Sequence, residues 1–242
     1  MSGTRWRIGR LLLAAALGTA WLTGGPAPGA VAAQREPVIL VHGWMSNSWS
    51  FHGMSAVLRE AGHPVYAMDL PGQDNLVNAV AVGRLVDDVV ARHGGKVHLV
   101  GHSMGGLSTR HYLKFLGGTA HVRHYVSMGS PQYGSTDACL LPELLGGQMC
   151  HSSRFLAGLN AGDDTPGSVR YTTIRSTLDR PAEANRLDGG ACFHDIPGVP
   201  HADEPSSPKF SAAVLATIGG VCPGRFVVLP PLADNGIRRG TR

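Results

Sequence analysis

The sequence predicts an α/β protein with a doubly wound, mostly parallel sheet in a single domain of the 242-residue chain. Short apolar runs that would form buried strands alternate with helical segments at the spacing of strand–helix–strand units. Hydrophobic residues make up 43% of the chain and charged residues 16%, a balance typical of globular proteins and not of disordered ones. The length suffices for one domain with a substantial core.

Residues 1–33 have the features of a secretory signal peptide, which leaves a catalytic domain over 34–222. Three arginines precede an apolar run over 11–22, and residues 30–33 (AVAA) offer a cleavage site after Ala32 or Ala33. A membrane anchor is the alternative, but the run is short for a bilayer. We therefore expect a secreted, extracellular protein. Without the three leader arginines the formal charge falls from +4 to +1, so the basic composition indicates no nucleic acid partner.

The first half of the domain is predicted to alternate strand and helix. Residues 37–42 (PVILVH) are a continuous apolar run, typical of a central parallel strand buried on both faces. A helix over 51–61 and a second strand over 64–69 follow. Apolar residues at helical spacing over 82–89 then predict a helix that ends at Gly94.

The third strand leads into the motif on which the functional interpretation depends. Residues 96–106 read KVHLVGHSMGG, an apolar run followed by a tight turn with Ser103 at its apex. G-x-S-x-G between a strand and a helix indicates a nucleophile elbow. The strained turn requires small neighbours, which Gly101 and Gly105 provide, and the following helix directs its positive N-terminus at the reaction centre. A glycine-rich turn with an incidental serine is the alternative, which the flanking strand and helix disfavour.

The second half continues the alternation and then loses it. Strands are predicted over 121–128, 169–176 and 192–196, and a closing helix over 209–218. Residues 223–242 have no periodic pattern and are interpreted as an irregular C-terminal tail.

Residues 132–164 interrupt the alternation and are interpreted as an insertion above the sheet. The insertion carries a cluster of leucines at 140, 141, 144 and 145. These leucines could cover a binding cleft, or they could form the small core of a disulfide-closed loop. The second interpretation is favoured, since a tight loop closed by a disulfide should open poorly.

Four cysteines in an exported chain predict two disulfides. We favour Cys139–Cys150 and Cys192–Cys222, because neither loop then crosses the other, and each bridge would contribute roughly 3–4 kcal/mol by loop entropy. Metal ligation is the alternative, but the sequence has no C-x-x-C pair.

A nucleophilic serine needs a base, and that base is held in place by a third group. In this architecture the chain order is serine, acid, histidine, each after a later strand. His201, in the loop beyond the 192–196 strand, is therefore the candidate base, whereas His194 lies within that strand. Asp179, three residues past the 169–176 strand, is the candidate acid. Two backbone N–H groups are expected to form the oxyanion hole, those of Met104 and Trp44.

No cofactor and no metal are expected. The polar group His194, Asp195, His201, Asp203 and Glu204 could be interpreted as metal ligands, but it lacks the H-E-x-x-H spacing. The sequence also lacks the glycine-rich motifs of nucleotide-binding proteins.

Four segments, VHGW, GHSMGG, YTTIRSTLD and GVPH, follow the leader in this order. Together they resemble the secreted bacterial lipases of the α/β-hydrolase fold, in particular the small ones of minimal size, over residues 37–218. The resemblance implies the same roles for Ser103, Asp179, His201, Trp44 and Met104 as the residue types indicate. The cysteines and the insertion depart from the most minimal members, so the absence of a lid is not implied.

The sequence thus predicts a secreted serine carboxylic ester hydrolase, by resemblance a triacylglycerol lipase, that forms an acyl-enzyme intermediate. Its expected partner is a small-molecule ester or a lipid at a lipid–water interface, and a monomer is expected. A short-chain esterase, polyester depolymerase, thioesterase or amidase would use the same triad. A non-catalytic binding protein on this scaffold would normally have lost a triad member.

Overall fold

The computed structural model describes residues 35–179 and 181–228, and these belong to one compact unit. The predicted signal peptide and the tail beyond residue 228 lie outside the described residues. Within the described part, no helix has the length and apolar character needed to cross a membrane.

The described strands form a seven-stranded sheet in the order β2-β1-β3-β4-β5-β6-β7. The strands are β1 Val38–Val41, β2 Val65–Met68, β3 Val97–His102, β4 Val122–Met128, β5 Arg170–Ser176, β6 Gly189–Ile196 and β7 Arg225–Val228. All neighbours pair in parallel except β6 and β7, which are antiparallel. The predicted fold class is confirmed.

Helices cover both faces of this sheet. They are α1 His52–Glu60, α2 Asn75–His93, α3 Met104–Phe115, α4 Arg154–Asn160, α5 Ala182–Asn185 and α6 Pro208–Ile218. Side chains of β1 alternate between two cores, since Ile39 and Val41 pack with α2 and α3 while Val38 and Leu40 pack with α1 and α6. A strand buried on both faces has no polar side, which explains why β1 is a continuous apolar run.

Helix α2 forms where the apolar spacing predicts it. The Asp74 carboxylate accepts a hydrogen bond from the Leu76 N–H at 2.8 Å and caps the first turn. Val82, Val86 and Val89 are fully buried against the sheet. Gly94, with φ +69°, ends the helix.

The insertion over 132–164 consists of short 3-10 segments and helix α4 and contributes no strand to the sheet. The expectation that its leucines form the core of the loop is wrong, because Leu140 is 89% exposed and Leu144 and Leu145 are also exposed. The core beneath the loop is built from Met149 and Cys150 together with Met104, Leu107, Leu156 and Leu159. The helices α3 and α4 supply the apolar partners, which frees the loop leucines for the surface.

Both disulfides pair as predicted, Cys139 with Cys150 and Cys192 with Cys222. The separations of 11 and 30 residues correspond to about 3 and about 4 kcal/mol of loop entropy. The interpretation of 223–242 as an irregular tail is wrong for Arg225–Val228, which forms β7. The second disulfide holds the chain beside β6, where a four-residue run too short to predict by pattern can pair.

Candidate active site

Ser103 lies in the sharp turn between β3 and α3 with φ +52° and ψ −124°. A positive φ is uncommon for a residue with a side chain and costs on the order of 1–3 kcal/mol. The surrounding backbone imposes it, since the Ser103 N–H donates to the Met128 carbonyl at 2.8 Å and the Ser103 carbonyl accepts from the Gly106 N–H at 3.1 Å. Strand, strained turn and helix agree with the predicted elbow.

The elbow closes tightly enough that its glycines have no room for a side chain. A Cβ at Gly101 would lie 2.6 Å from the Gly106 Cα, and a Cβ at Gly105 would overlap the carbonyl oxygens of His42 and Val41. Real Cβ atoms do not approach backbone so closely. The requirement for small residues two positions before and after Ser103 is therefore a steric one.

The candidate base and acid lie together. His201 begins a 3-10 helix over His201–Ser206 after β6, and its Nδ1 is 3.3 Å from Oδ2 of Asp179. Asp179 follows β5 in a turn in which its N–H donates to the Ser176 carbonyl at 3.1 Å. Because β3, β5 and β6 are parallel, their carboxyl ends lie at the same edge of the sheet, and the elbow leaves that edge at Ser103.

His102, the residue before the nucleophile, packs against the candidate base. The His102 and His201 rings are 4.7 Å apart between centroids, and Nε2 of His102 is 3.1 Å from the His201 carbonyl oxygen. That nitrogen is also 3.4 Å from Oε2 of Glu204, so two acceptors face it and it carries the proton. Burial lowers the pKa of His102 to about 3, with a further contribution from His201, so the ring stays neutral at working pH.

The loop after β1, which we call the oxyanion loop for its predicted role, packs directly on Ser103. A Cβ at Gly43 would lie 2.8 Å from the Ser103 Cβ, so the backbone that leads into Trp44 passes beside the serine. His42 fixes this loop, because its Nδ1 donates to the Gly43 carbonyl at 2.8 Å and its Nε2 accepts from the Leu70 N–H at 2.9 Å. The second expected donor, Met104, is the first residue of α3, where backbone N–H groups have no partner within the helix.

The indole of Trp44 ties the same loop to the insertion. Its Nε1–H donates to the Leu145 carbonyl at 2.9 Å. Around this contact, four apolar side chains are exposed at the edge of the site: Trp44, Met45, Leu144 and Leu145. We call these four residues the apolar rim.

The polar group that the sequence offered as a metal site is divided in the structure. Asp195 pairs with Arg175 at 2.6 Å, away from the base. His201 and Glu204 instead meet His102, with ligand atoms of the three residues within 4.8 Å of one another. The sequence pattern assigns no catalytic role to His102 or Glu204. Glu204 follows His201 by three residues, but this spacing brings the two side chains together only because the segment folds as a 3-10 helix.

Comparisons with known proteins identify the family of the chain. The sequence profile of the alpha/beta hydrolase family matches residues 38–233. The chain is 33% identical over 158 residues to a triacylglycerol lipase of Burkholderia plantarii, over 58% of this chain and 42% of the relative. It is also 33% identical over 127 residues to the lysosomal thioesterase PPT2 of Homo sapiens, over 48% of this chain and 41% of that protein.

Among solved structures, lipase B of Aspergillus fumigatus superposes with a TM-score of 0.68 at 20% identity. The superposition covers 82% of this chain and 56% of the lipase. At that identity the likeness establishes the fold alone. The chain spans less than half the length of the curated relatives that it matches.

Proposed function

We propose that this chain, which belongs to the alpha/beta hydrolase family, hydrolyses carboxylic esters of lipids through the triad Ser103, Asp179 and His201. The observation that carries the proposal is the strained elbow of Ser103, set at the sheet edge where His201 and Asp179 lie 3.3 Å apart. A serine becomes an effective nucleophile when a base and an orienting acid accompany it.

The reaction follows from these positions. The Ser103 Oγ attacks the ester carbonyl carbon while Nε2 of His201 takes the hydroxyl proton. Asp179 accepts a hydrogen bond from Nδ1 of His201, and the backbone N–H groups of Met104 and Trp44 stabilise the oxyanion. His201 then returns the proton to the leaving alcohol. Water, deprotonated by His201, then attacks the acyl-enzyme, and His201 passes that proton to the Ser103 Oγ as the acid is released.

The apolar rim supports an acyl chain as part of the substrate. Exposed apolar side chains grouped at the mouth of a site are typical of surfaces that bind apolar ligands or membranes. The relative from Burkholderia plantarii is a triacylglycerol lipase. We therefore propose triacylglycerols as the substrate class and a lipid–water interface as the place of reaction.

Purified protein should hydrolyse p-nitrophenyl esters, and Ser103→Ala should reduce kcat by about 10⁴-fold or more, since removing a triad member typically costs that much. A fluorophosphonate probe should label the wild type on Ser103 and leave the variant unlabelled. The matched control is Ser168→Ala, an exposed serine in the turn before β5. Full activity or labelling in Ser103→Ala would refute the triad.

A thioesterase is the second candidate, because the human relative is a lysosomal thioesterase. An emulsified triacylglycerol, a series of p-nitrophenyl esters from acetate to palmitate, and palmitoyl-coenzyme A would separate the two. A lipase should prefer the emulsion and the long esters. A preference for the thioester by more than tenfold in kcat/KM would favour the second candidate.

We also propose that the chain is exported and acts as a monomer. The two disulfides suit an oxidising compartment. Expression of the full chain in a secreting host should place the protein in the medium with a mature N-terminus after Ala32 or Ala33, and it should elute as a monomer in size-exclusion chromatography.

A further inference from the structure

We propose that Glu204 is a second carboxylate of the catalytic base, which shares with Asp179 the task of orienting His201 and stabilising its protonated form. The inference rests on the proposed function above and adds a positioning residue to it. It follows from three features of the structure: the contacts of the Glu204 carboxylate, its burial, and the shape of the backbone around it.

Each oxygen of the Glu204 carboxylate faces a donor from a different part of the site. Oε1 accepts the Ser176 N–H at 3.1 Å, at the end of β5. Oε2 is 3.6 Å from Nδ1 of His201 and 3.4 Å from Nε2 of His102. The carboxylate therefore approaches the same ring nitrogen that Asp179 approaches at 3.3 Å.

Burial makes this placement costly unless it is compensated. Glu204 is 0% exposed, and an ionised carboxylate removed from water requires hydrogen bonds or a positive charge nearby. Among the described residues, the titratable groups around it include His102 from β3, His201 on its own helix and Asp179 from the turn after β5. The His102 ring is neutral, whereas His201 supplies a positive charge beside the carboxylate when it takes a proton.

The backbone opposite Glu204 is also shaped to admit it. Gly129, in the turn after β4, has φ +55°. A Cβ at Gly129 would overlap Oε2 of Glu204 and would lie 2.7 Å from Nδ1 of His201. The close approach of glycine backbone therefore holds both side chains in one pocket.

This arrangement has a chemical consequence at the transition state. His201 becomes an imidazolium when it takes the Ser103 proton, and its Nδ1 then has two carboxylates within 3.6 Å. In a triad with a single acid, replacing that acid by its amide costs about 10⁴-fold in kcat because the imidazole adopts the wrong tautomer. Because Glu204 lies beside the same nitrogen, much of the Asp179→Asn variant should still carry the His201 proton on Nδ1, which is the correct tautomer.

The test uses the full chain and compares Asp179→Asn, Glu204→Gln and the double variant on a soluble p-nitrophenyl ester. We expect Asp179→Asn to lose on the order of 10–100-fold in kcat and the double variant about 10⁴-fold, with KM little changed. Glu204→Gln should lose about tenfold in kcat, as expected when one interaction with a developing charge is weakened. Glu204→Gln should also shift the acid limb of the pH profile of kcat/KM to lower pH, since a neutral amide stabilises the His201 imidazolium less than a carboxylate does.

The matched control is Asp203→Asn, an exposed acid one residue earlier on the same 3-10 helix. It removes the same charge without the contact to His201, and the acid limb should stay in place. A purely structural role for Glu204 would lower the yield of folded protein and leave that limb unmoved in the folded fraction, counted by active-site titration.

Two results would overturn the proposal. The first is a double variant whose kcat is no lower than that of Asp179→Asn, combined with a Glu204→Gln variant whose pH profile of kcat/KM keeps its acid limb in place. If Glu204→Gln does not fold, the folded Asp179→Asn variant decides alone, and a full loss of about 10⁴-fold there contradicts a second carboxylate. The Ser103→Ala variant tests the proposed function alone. Retained activity in that variant would refute the function and would say nothing about the role of Glu204.

Discussion

The two halves of the proposed active site are built by different means. The nucleophile half, residues 101–106, is held mainly by backbone against backbone, since Gly101 and Gly105 lie against main-chain atoms of the turn itself and of β1 and the residue after it. The base half, around His201, is held by buried side chains, with two carboxylates and His102 packed about one imidazole. Backbone cannot move without breaking the sheet, whereas side chains can adjust. An added methyl group in the nucleophile half should therefore disrupt both the fold and the activity. A comparable change in the base half should reduce the activity while the protein stays folded.

The largest expected effect tests the nucleophile half. In Gly105→Ala the new methyl group would overlap the carbonyl oxygens of His42 and Val41, so β1 and α3 have to separate. We expect at least a 10³-fold loss of esterase activity and a loss of stability above about 3 kcal/mol, as for overpacking without room to relax. Circular dichroism during heating and ester hydrolysis measure the two effects.

The matched control for this variant is Gly158→Ala in α4, where nothing lies within 4 Å of the new Cβ. Alanine should stabilise the helix there by up to about 1 kcal/mol. Comparable damage from both alanines would contradict the steric argument.

An intermediate effect tests the base half. Gly129→Ala places a methyl group against the side chains of Glu204 and His201 at a positive φ. Since side chains can rotate away, we expect a folded protein that is less stable by about 1–3 kcal/mol. Activity should fall by about 100-fold as the imidazole leaves its position. The readouts are the melting temperature and kcat.

Gly190→Ala separates the effect of backbone strain from that of moving His201. Gly190 also has a positive φ, +109°, but an added Cβ there would meet open space. It should lose a similar amount of stability and keep its kcat. An equal loss of kcat in both variants would show that backbone strain, and not the position of His201, governs activity.

The smallest expected effect on activity concerns stability against pH, and it adds the far end of the sheet to the comparison. Burial lowers the pKa of His98 to about 3, and the neighbouring His124 lowers it further. Burial and Arg170 lower the pKa of His124 to about 4. The pKa of His102, at the elbow, is also lowered to about 3. The unfolded chain binds these protons near pH 6.5 and the native chain does not. The contribution of these neutral rings to the free energy of unfolding is therefore fully present above about pH 6.5. It falls as the pH drops toward 4, by up to about 1.4 kcal/mol per pH unit for each ring.

Urea unfolding at pH 7, 6 and 5 measures this dependence, with the exposed His52→Gln as the control variant. A free energy of unfolding that stays constant from pH 7 to 5 would contradict neutral buried histidines. His102→Gln should make this dependence on pH shallower, and the remaining slope would belong to the other buried histidines, His98 and His124 at the start of β3 and β4 among them.

The same contrast explains what the sequence could predict. The elbow, the acid and the base follow local rules: glycines at fixed offsets around Ser103, and polar residues just past predicted strands. The role of Glu204 depends on a 3-10 turn and on burial, neither of which leaves a local pattern in the sequence. The sequence does not show that the loop leucines are exposed, because the residues that fill the loop core, Met104 and Leu107 of α3 among them, come from another part of the chain. Strand β7 is not predictable from the sequence, because four residues held by a distant cysteine carry too little periodicity.

The hydrogen bond from the Trp44 indole to the Leu145 carbonyl has a consequence for the time course of turnover. It joins the oxyanion loop to a segment that the Cys139–Cys150 bridge already closes, so the apolar rim and the oxyanion donors form one preassembled unit. A surface that needs no rearrangement binds its ligand without an ordering cost. Progress curves on an emulsion should then be linear from the first seconds, without a lag.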